Sequence, residues 1–308
     1  MRILLAGASG FIGAALRTSL ADDGHDVVGL GRAGSNGATA TIDVANRSLD
    51  LSAPGGGVES FDVVYQLLGA PLVPRRWGPR RLEAIRSSRL TTTDILARAV
   101  AKAPVRPTFV VGCAIGYYGL RGPELLDEGS ASGEGLIADL CRAWERAAAP
   151  ASDAGARVVL ARSGIVLGAV GGAIRQQLPI FRLGLGARLG SGRQWTSWIS
   201  LQDEVRALRF VADTEAIAGP VNLVAPNPVT NAEFTTALAE ALGKRAALVV
   251  PVPALYAAVG KVTSEEFLLA SQRVVPRVLQ AHGFEFDHPT LEMALAAVVA
   301  DIGRPVRP

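Results

Sequence analysis

The chain has 308 residues, 49% of them hydrophobic and 19% charged, which is long and apolar enough for a packed α/β unit with a smaller second lobe and too apolar for a disordered chain. Its formal net charge of +3 comes from arginines spread over many segments, so no basic block marks a nucleic-acid surface. No run of about 18 apolar residues is present, and Gly7 and Gly10 interrupt the apolar start before a signal-peptide core forms, so no membrane segment is expected and the chain reads as cytoplasmic.

In chain order, apolar runs at 2–6, 26–30, 61–68, 107–113 and 157–161 alternate with stretches of helical period such as 80–100 and 136–149, and a weaker run at 38–42 ends at Asp43. Strands alternating with helices predict an α/β protein with a doubly wound parallel sheet of Rossmann type and six strands. Beyond Gly164 the glycine-dense stretch 168–192 predicts a loop-rich crossover. Residues 200–212 return to helix and 220–224 to strand, so the chain is expected to rejoin the sheet. Thr230-Asn231-Ala232-Glu233 has capping-box spacing and predicts a helix through about Leu242. A last helix is expected from near Thr290 toward Asp301, ahead of a proline-bearing end. The division that follows is a dinucleotide-binding domain at 1–167, its sheet completed by 199–225, and a crossover with a smaller, substrate-side α/β lobe at 168–308.

Cys113 and Cys141 suit reduced thiols better than a disulfide framework. His25, His282 and His288 share no ligand spacing with them, so no metal is expected.

Gly7-Ala8-Ser9-Gly10-Phe11-Ile12-Gly13 follows an apolar strand directly and opens an amphipathic helix. In that context Gly7 permits the tight turn, Gly10 lets backbone approach a pyrophosphate, and Gly13 lets helix and strand pack closely, while the helix N-terminus offers amide donors to phosphate. The second strand ends Gly29-Leu30-Gly31-Arg32, where a carboxylate would favour NAD; the guanidinium of Arg32 suits a 2′-phosphate instead and predicts NADP(H), its alternative being a solvated surface arginine. Asp43 either accepts from the adenine amino group or shapes a turn. Gly69, after Leu67-Leu68, would let the cofactor ribose lie against backbone.

With these motifs in place, the chain resembles the extended short-chain dehydrogenase/reductases, and within them an atypical branch that goes by the names epimerase-family protein, NAD-dependent epimerase/dehydratase and cell-division inhibitor. The match is carried by Arg76-Trp77, Ile85-Arg86-Ser87-Ser88-Arg89 with Thr93, Gly116-Tyr117-Tyr118-Gly119, Trp144-Glu145, and Arg162-Ser163-Gly164-Ile165-Val166-Leu167-Gly168. It continues through Phe181-Arg182-Leu183-Gly184-Leu185-Gly186, Gly190-Ser191-Gly192-Arg193-Gln194-Trp195 and Trp198-Ile199 to Ala225-Pro226-Asn227-Pro228-Val229-Thr230-Asn231. The resemblance implies an NADP(H) site lined by Gly31, Arg32, Leu67, Leu68, Arg89 and Val166 beside the glycine turn. It names no substrate.

Active members of that superfamily pair a tyrosine with a lysine four residues on, the cation lowering the phenol pKa for proton exchange. None of Tyr65, Tyr117, Tyr118 and Tyr256 has a lysine at that spacing, and Ile137 and Cys141 stand where the pair would fall. Where related chains read Ser-x-Ser-Ala, this one reads Val111-Gly112-Cys113-Ala114. Three catalytic candidates remain. Cys113 is either a thiol at the site or a small core residue, and Tyr117 and Tyr118 are either acid/base groups at the sheet's C-terminal edge or aromatic packing. In the crossover, Arg193, Gln194, Trp195 and Trp198 either face a polar or anionic substrate with a flat part or pack as a hairpin. Ser200 replaces a histidine found in related chains, Asp203 is expected to cap or orient the next helix, and Glu145 to make a structural hydrogen bond.

The function so implied is an NADP(H)-dependent oxidoreductase or epimerase acting on a small molecule. The missing Tyr/Lys pair keeps open a non-catalytic, NADP(H)-binding redox sensor or regulatory protein. A homodimer through the helices at 80–100 and 136–149 is also left open.

Overall fold

The computed structural model describes residues 1–35, 38–53, 55–72 and 77–302; Arg76 and the proline-bearing end lie outside them. The first half runs β1 (Arg2–Ala6), α1 (Phe11–Asp22), β2 (Asp26–Gly31), β3 (Ala40–Asp43), β4 (Ser48–Asp50), β5 (Val63–Gln66), α2 (Pro79–Lys102) and β6 (Thr108–Ala114). β1 shows why a near-continuous apolar run makes a central strand: Ile3 and Leu5 enter the core on one face of the sheet, Leu4 and Ala6 the core on the other. The chain continues through β7 (Leu125–Leu126), α3 (Leu136–Arg146), α4 (Ala149–Asp153), β8 (Val158–Ser163), β9 (Ile165–Leu167), α5 (Gly172–Arg182), β10 (Ala187–Leu189), β11 (Trp195–Thr196), β12 (Trp198–Ser200), α6 (Leu201–Asp213) and β13 (Gly219–Leu223).

The main sheet has the order β13-β8-β6-β5-β1-β2-β3-β4. Every neighbouring pair is parallel except β3 with β4. The expected doubly wound sheet is present, and 220–224 does rejoin it as β13. Strand order reverses between β1 and β5, which opens a crevice at their C-terminal ends. β4 is an addition to the expected set. The Asp43 carboxylate accepts from the amides of Ala45 and Asn46 at 2.9 and 3.0 Å, turning the chain back into this short antiparallel edge.

The glycine-dense stretch 168–192 is less loop-like than expected, because it contains α5. Pro179 inside that helix and the glycines at its start mask an apolar stripe, Ile174, Leu178 and Phe181, at helical spacing. The stripe packs with Leu167, Trp198, Phe234 and Leu295 in a separate core. There it meets α7 (Asn231–Ala241), which follows β14 (Val229–Thr230) and opens with the expected capping box: Glu233 N donates to Thr230 Oγ1 at 3.3 Å and Thr230 N to Glu233 Oε2 at 2.7 Å. Then come β15 (Leu248–Val250), α8 (Val252–Val259), a π-helical turn Ser264–Leu268, β16 (Arg273–Val274) and the helices Arg277–Ala281 and Leu291–Ala300, the last matching its expected bounds within a residue.

Candidate functional site

At the crevice, Gly7 takes φ +92° and donates its amide to Leu30 O at 3.1 Å, while Gly10 N returns to Gly7 O at 2.9 Å. A Cβ on Gly13 would lie 2.1 Å from Gly7 O, so only glycine lets α1 start this close to β1. Gly10 caps α1 without a side chain to offer, leaving the first-turn amides to whatever enters the crevice. Gly7, Ser9, Gly31, Arg32 and Leu68 line one cleft with Leu30, Ser35 and Ala38. The Arg32 guanidinium, exposed at its rim, has no protein partner among the described residues. A turn that a Cβ would fill, open amides and an unpaired cation together fit an adenine dinucleotide carrying a 2′-phosphate.

The other cofactor candidates join this surface from behind. Leu67 N donates to Ala6 O, and the Leu67 carbonyl would touch any Cβ on Gly7. Gln66, which sequence reasoning missed, is fully buried; its Oε1 accepts from Leu68 N at 3.1 Å and its Nε2 donates to Thr92 Oγ1 at 2.6 Å, fixing the strand exit. Gly69 lies against the guanidinium of Arg89, whose Cζ would be 3.1 Å from a Cβ there. Val166, Phe11 and Ile12 pack into the core beneath Ala8 and Leu67. The Phe11 ring is also caged by Gly168, Gly171 and Gly172, where a Cβ would meet it at 2.4 to 3.0 Å. Asp43 does not line the cleft, and both its oxygens serve the turn, the second accepting from Asn46 Nδ2 at 2.7 Å.

Of the catalytic candidates, Tyr118 and Cys113 are both enclosed in the core. Tyr118 is fully enclosed, donating to Asn222 Oδ1 at 2.7 Å and accepting from Arg162 Nη1 at 3.0 Å; burial pushes its pKa up to about 12. Burial likewise raises the pKa of the Cys113 thiol, which lies 3.5 Å from Glu145 Oε1, and favours its neutral form. Glu145 does make the expected structural contact, and with a partner the sequence did not reveal: Arg162, one of the most deeply buried charges. Tyr117 differs from its neighbour. Half-buried, it has the Arg162 guanidinium 3.5 Å from its ring centroid, and its hydroxyl makes no hydrogen bond among the described residues. Ile137, where the superfamily's tyrosine would stand, packs on Gly116, and Cys141 one turn on faces the same glycine.

In the crossover, Trp198 is completely buried in the second core, its Nε1 donating to Asn227 O at 3.1 Å. Gln194 spends its Nε2 on Leu189 O at 3.0 Å. Arg193 is exposed, and Trp195 is half-buried under Arg273, whose Cζ stands 4.3 Å from the ring centroid. Ser200 caps α6 by accepting from Asp203 N at 3.0 Å, while the carboxylate of Asp203 accepts from the amides of Asp287 and His288 at 2.9 Å each. His288 Nδ1 lies 3.0 Å from Ser200 Oγ, so an imidazole from the far end of the chain stands beside the serine.

No helix among the described residues is long and apolar enough to cross a membrane. Among them, no group of three or more His, Cys, Asp or Glu side chains is placed to hold a metal ion.

Residues 3–224 match the NAD dependent epimerase/dehydratase family, and residues 250–298 match a domain of unknown function, DUF1731. Epimerase family protein MT2273 of Mycobacterium tuberculosis is 44% identical over 294 residues, covering 95% of this chain and 96% of that protein. Epimerase family protein SDR39U1 of Homo sapiens is 36% identical over 304 residues, 97% of this chain and 100% of that one. The crystal structure of the human protein with NADPH superposes with a TM-score of 0.88 at 35% identity, covering 98% of this chain and all of that chain. UDP-N-acetylglucosamine 4-epimerase from Bacillus cereus, at 16% identity and a TM-score of 0.74, shares the fold alone. With a glycine turn, an eight-stranded sheet and relatives matching nearly end to end, the chain belongs to the NAD dependent epimerase/dehydratase family, as an epimerase-family short-chain dehydrogenase/reductase.

Proposed function

We propose that the protein is an NADP(H)-dependent oxidoreductase or epimerase of a small molecule, with the dinucleotide lying along the crevice from Arg32, past the Gly7–Gly13 turn, to Gly69. The carrying observation is the glycine turn, where Gly13 admits no Cβ and the first-turn amides have no side-chain cap, with Arg32 at its rim and without a partner among the described residues. The human relative crystallised with NADPH supports the choice of phosphate-bearing cofactor. When bound, the nicotinamide gives or takes a hydride at its C4. This chain's own contribution is to hold phosphates on α1, support the cofactor with Leu67 to Gly69, and offer the Tyr117 hydroxyl for proton exchange, backed by the Arg162 cation. Calorimetric titration with NADPH and NADH tests the cofactor reading, with tighter NADPH binding expected. Loss of NADPH absorbance against a panel of carbonyl compounds tests turnover. Absence of heat with either nucleotide would remove the proposal.

A second reading, an NADP(H)-binding redox sensor without turnover, is favoured by Ile137 and Cys141 in place of the catalytic pair and by the sealed hydroxyl of Tyr118. It predicts tight NADPH binding together with Tyr117→Phe behaving as wild type in every assay. Two free thiols accord with a cytoplasmic setting in either case. Homodimerisation through α2 and α3 is to be checked by the mass of the protein in solution.

A further inference from the structure

The stretch Ala246 to Gly260 carries no charged side chain, and only Leu255 in it is buried. It builds β15 and α8, joined at Pro251. Leu248 on β15 is 49% exposed and Val249 44%. A surface helix ordinarily turns charged residues to water, whereas α8 is apolar toward water as well as toward the core.

β10 pairs with β15, Ala187 beside Leu248, and so brings in the end of α5. The inner stripe of α5, Ile174, Leu178 and Phe181, packs into the second core. Its other side carries Ile180 and Leu183, 53% and 75% exposed, and Leu185 follows in the turn toward β10 at 52%. The outward side chains of α5, this turn and β15 make one apolar face on the second lobe.

The charges around that face have one sign. Residues 154–202 and 241–264 contain no Asp or Glu. Arg182 on α5, and Lys244 and Arg245 ahead of β15, are exposed, and none of these three side chains has a partner among the described residues. Lys261, at the far end, pairs with Glu265 at 3.9 Å, the carboxylate that also accepts the Tyr256 hydroxyl at 2.7 Å. Exposed apolar patches of this kind mark a docking surface, and here the charge selects the occupant. A second copy laid on the face about a two-fold axis would set these cations against their own copies. The nucleotide cleft and the cavity of about 250 Å³ lined by α2 and α3 take no residue from it, so neither offers a groove to a partner peptide there. An anionic lipid surface meets both properties together, taking apolar side chains at the headgroup boundary and cations at its phosphates.

We propose that the protein rests on anionic phospholipid through this face, with Ile180, Leu183, Leu185, Leu248 and Val249 at the boundary of headgroups and acyl chains and Arg182, Lys244 and Arg245 at lipid phosphates. The chain lies on the bilayer and does not span it, in keeping with the absence of a membrane-crossing helix among the described residues. The contact uses no residue of the nucleotide cleft and is independent of the NADP(H) reading.

Sedimentation of the full chain with vesicles tests this. Vesicles of phosphatidylcholine alone, and of phosphatidylcholine with phosphatidylglycerol, are mixed at low and at raised salt with wild type and three variants. These are Lys244→Glu with Arg245→Glu, Ile180→Ser with Leu183→Ser, and Val105→Ser, an exposed apolar position in the connection from α2 to β6. Thermal melts establish that each variant is folded. Expected are binding of wild type to the anionic vesicles that weakens with salt, about tenfold weaker binding to the neutral ones, a loss of about tenfold or more in each double variant, and wild-type behaviour of Val105→Ser. No binding of wild type to anionic vesicles overturns the proposal, as does equal binding to both kinds of vesicle. Full binding retained in either double variant also overturns it, because charge alone or apolar contact alone would then explain the adsorption, and so does an equal loss in Val105→Ser. A dimeric mass of wild type that falls to monomer in Ile180→Ser with Leu183→Ser, without vesicle binding, makes the face an interface between two copies instead.

Discussion

Arg162 donates from Nε and Nη2 to the two oxygens of Glu145, at 2.7 and 2.9 Å, in a fork between β8 and α3. Arg162 is 3% exposed and Glu145 11%, and the same guanidinium carries the Tyr118 hydroxyl and the Tyr117 ring. Removing one partner strands a charge in the interior. Glu145→Ala is expected to cost about 3–5 kcal/mol, read by urea denaturation, and Glu145→Leu combined with Arg162→Met to recover much of it. A loss within the error of the fit would show that the pair carries little.

Glu204 is buried on α6, where Ser163 Oγ donates to its Oε1 at 2.6 Å and its Oε2 has no partner among the described residues. Burial pushes its pKa up to about 8 from 4.5, so the folded state holds a proton that the unfolded state releases. This contribution to stability is fully present below pH 4.5, declines by about 1.4 kcal/mol per pH unit at most between 4.5 and 8, and is lost above 8. Glu204→Gln should remove that slope and be more stable than wild type at pH 8.5. Parallel pH profiles for the two proteins would refute the assignment.

Among the described residues lining the cleft, Arg32 is the one cation, and it is the group expected to favour a 2′-phosphate over a 2′-hydroxyl. Arg32→Ser should weaken NADPH binding by about tenfold or more, as expected for a lost charge-assisted contact, and leave NADH binding unchanged. No effect on either nucleotide would return Arg32 to the status of a solvated surface residue, and equal weakening of both would place it on a part of the cofactor the two share.

Gly13→Ala puts a methyl 2.1 Å from the Gly7 carbonyl and must move α1 away from β1. Overpacking of this kind costs about 1–3 kcal/mol, and NADPH affinity should fall more steeply than stability. Gly24→Ala, at a position with open space but positive φ, is the control for backbone strain alone and should leave affinity intact.

The sheet and the nucleotide turn were legible because both are local patterns: a strand, a glycine turn and a helix occupy the first two dozen residues. The catalytic neighbourhood was not, because its contacts join distant segments. Glu145 finds Arg162 on β8, beyond α4, Tyr118 finds Asn222 on β13, and Ser200 finds His288 near the C-terminal end. Nothing in the letters tells Tyr117 from Tyr118; a half-turn of 3₁₀ helix sends one inward and leaves the other half-buried. Trp198 reads as a candidate substrate face because it stands near Arg193, Gln194 and Trp195 in sequence, and its burial is decided by β12 pairing with β9 under α5. α5 itself escaped notice because proline and glycine punctuate a stripe that only packing makes plain.

The cage of Gly168, Gly171 and Gly172 around Phe11 binds the nucleotide turn to a loop more than 150 residues downstream. Phe11, the first residue of α1, thereby holds the nucleotide turn against the backbone from which α5 departs. The fit is tight, since none of the three glycines has room for a methyl group, and so a side chain at any of them would force the start of α1 and the start of α5 apart.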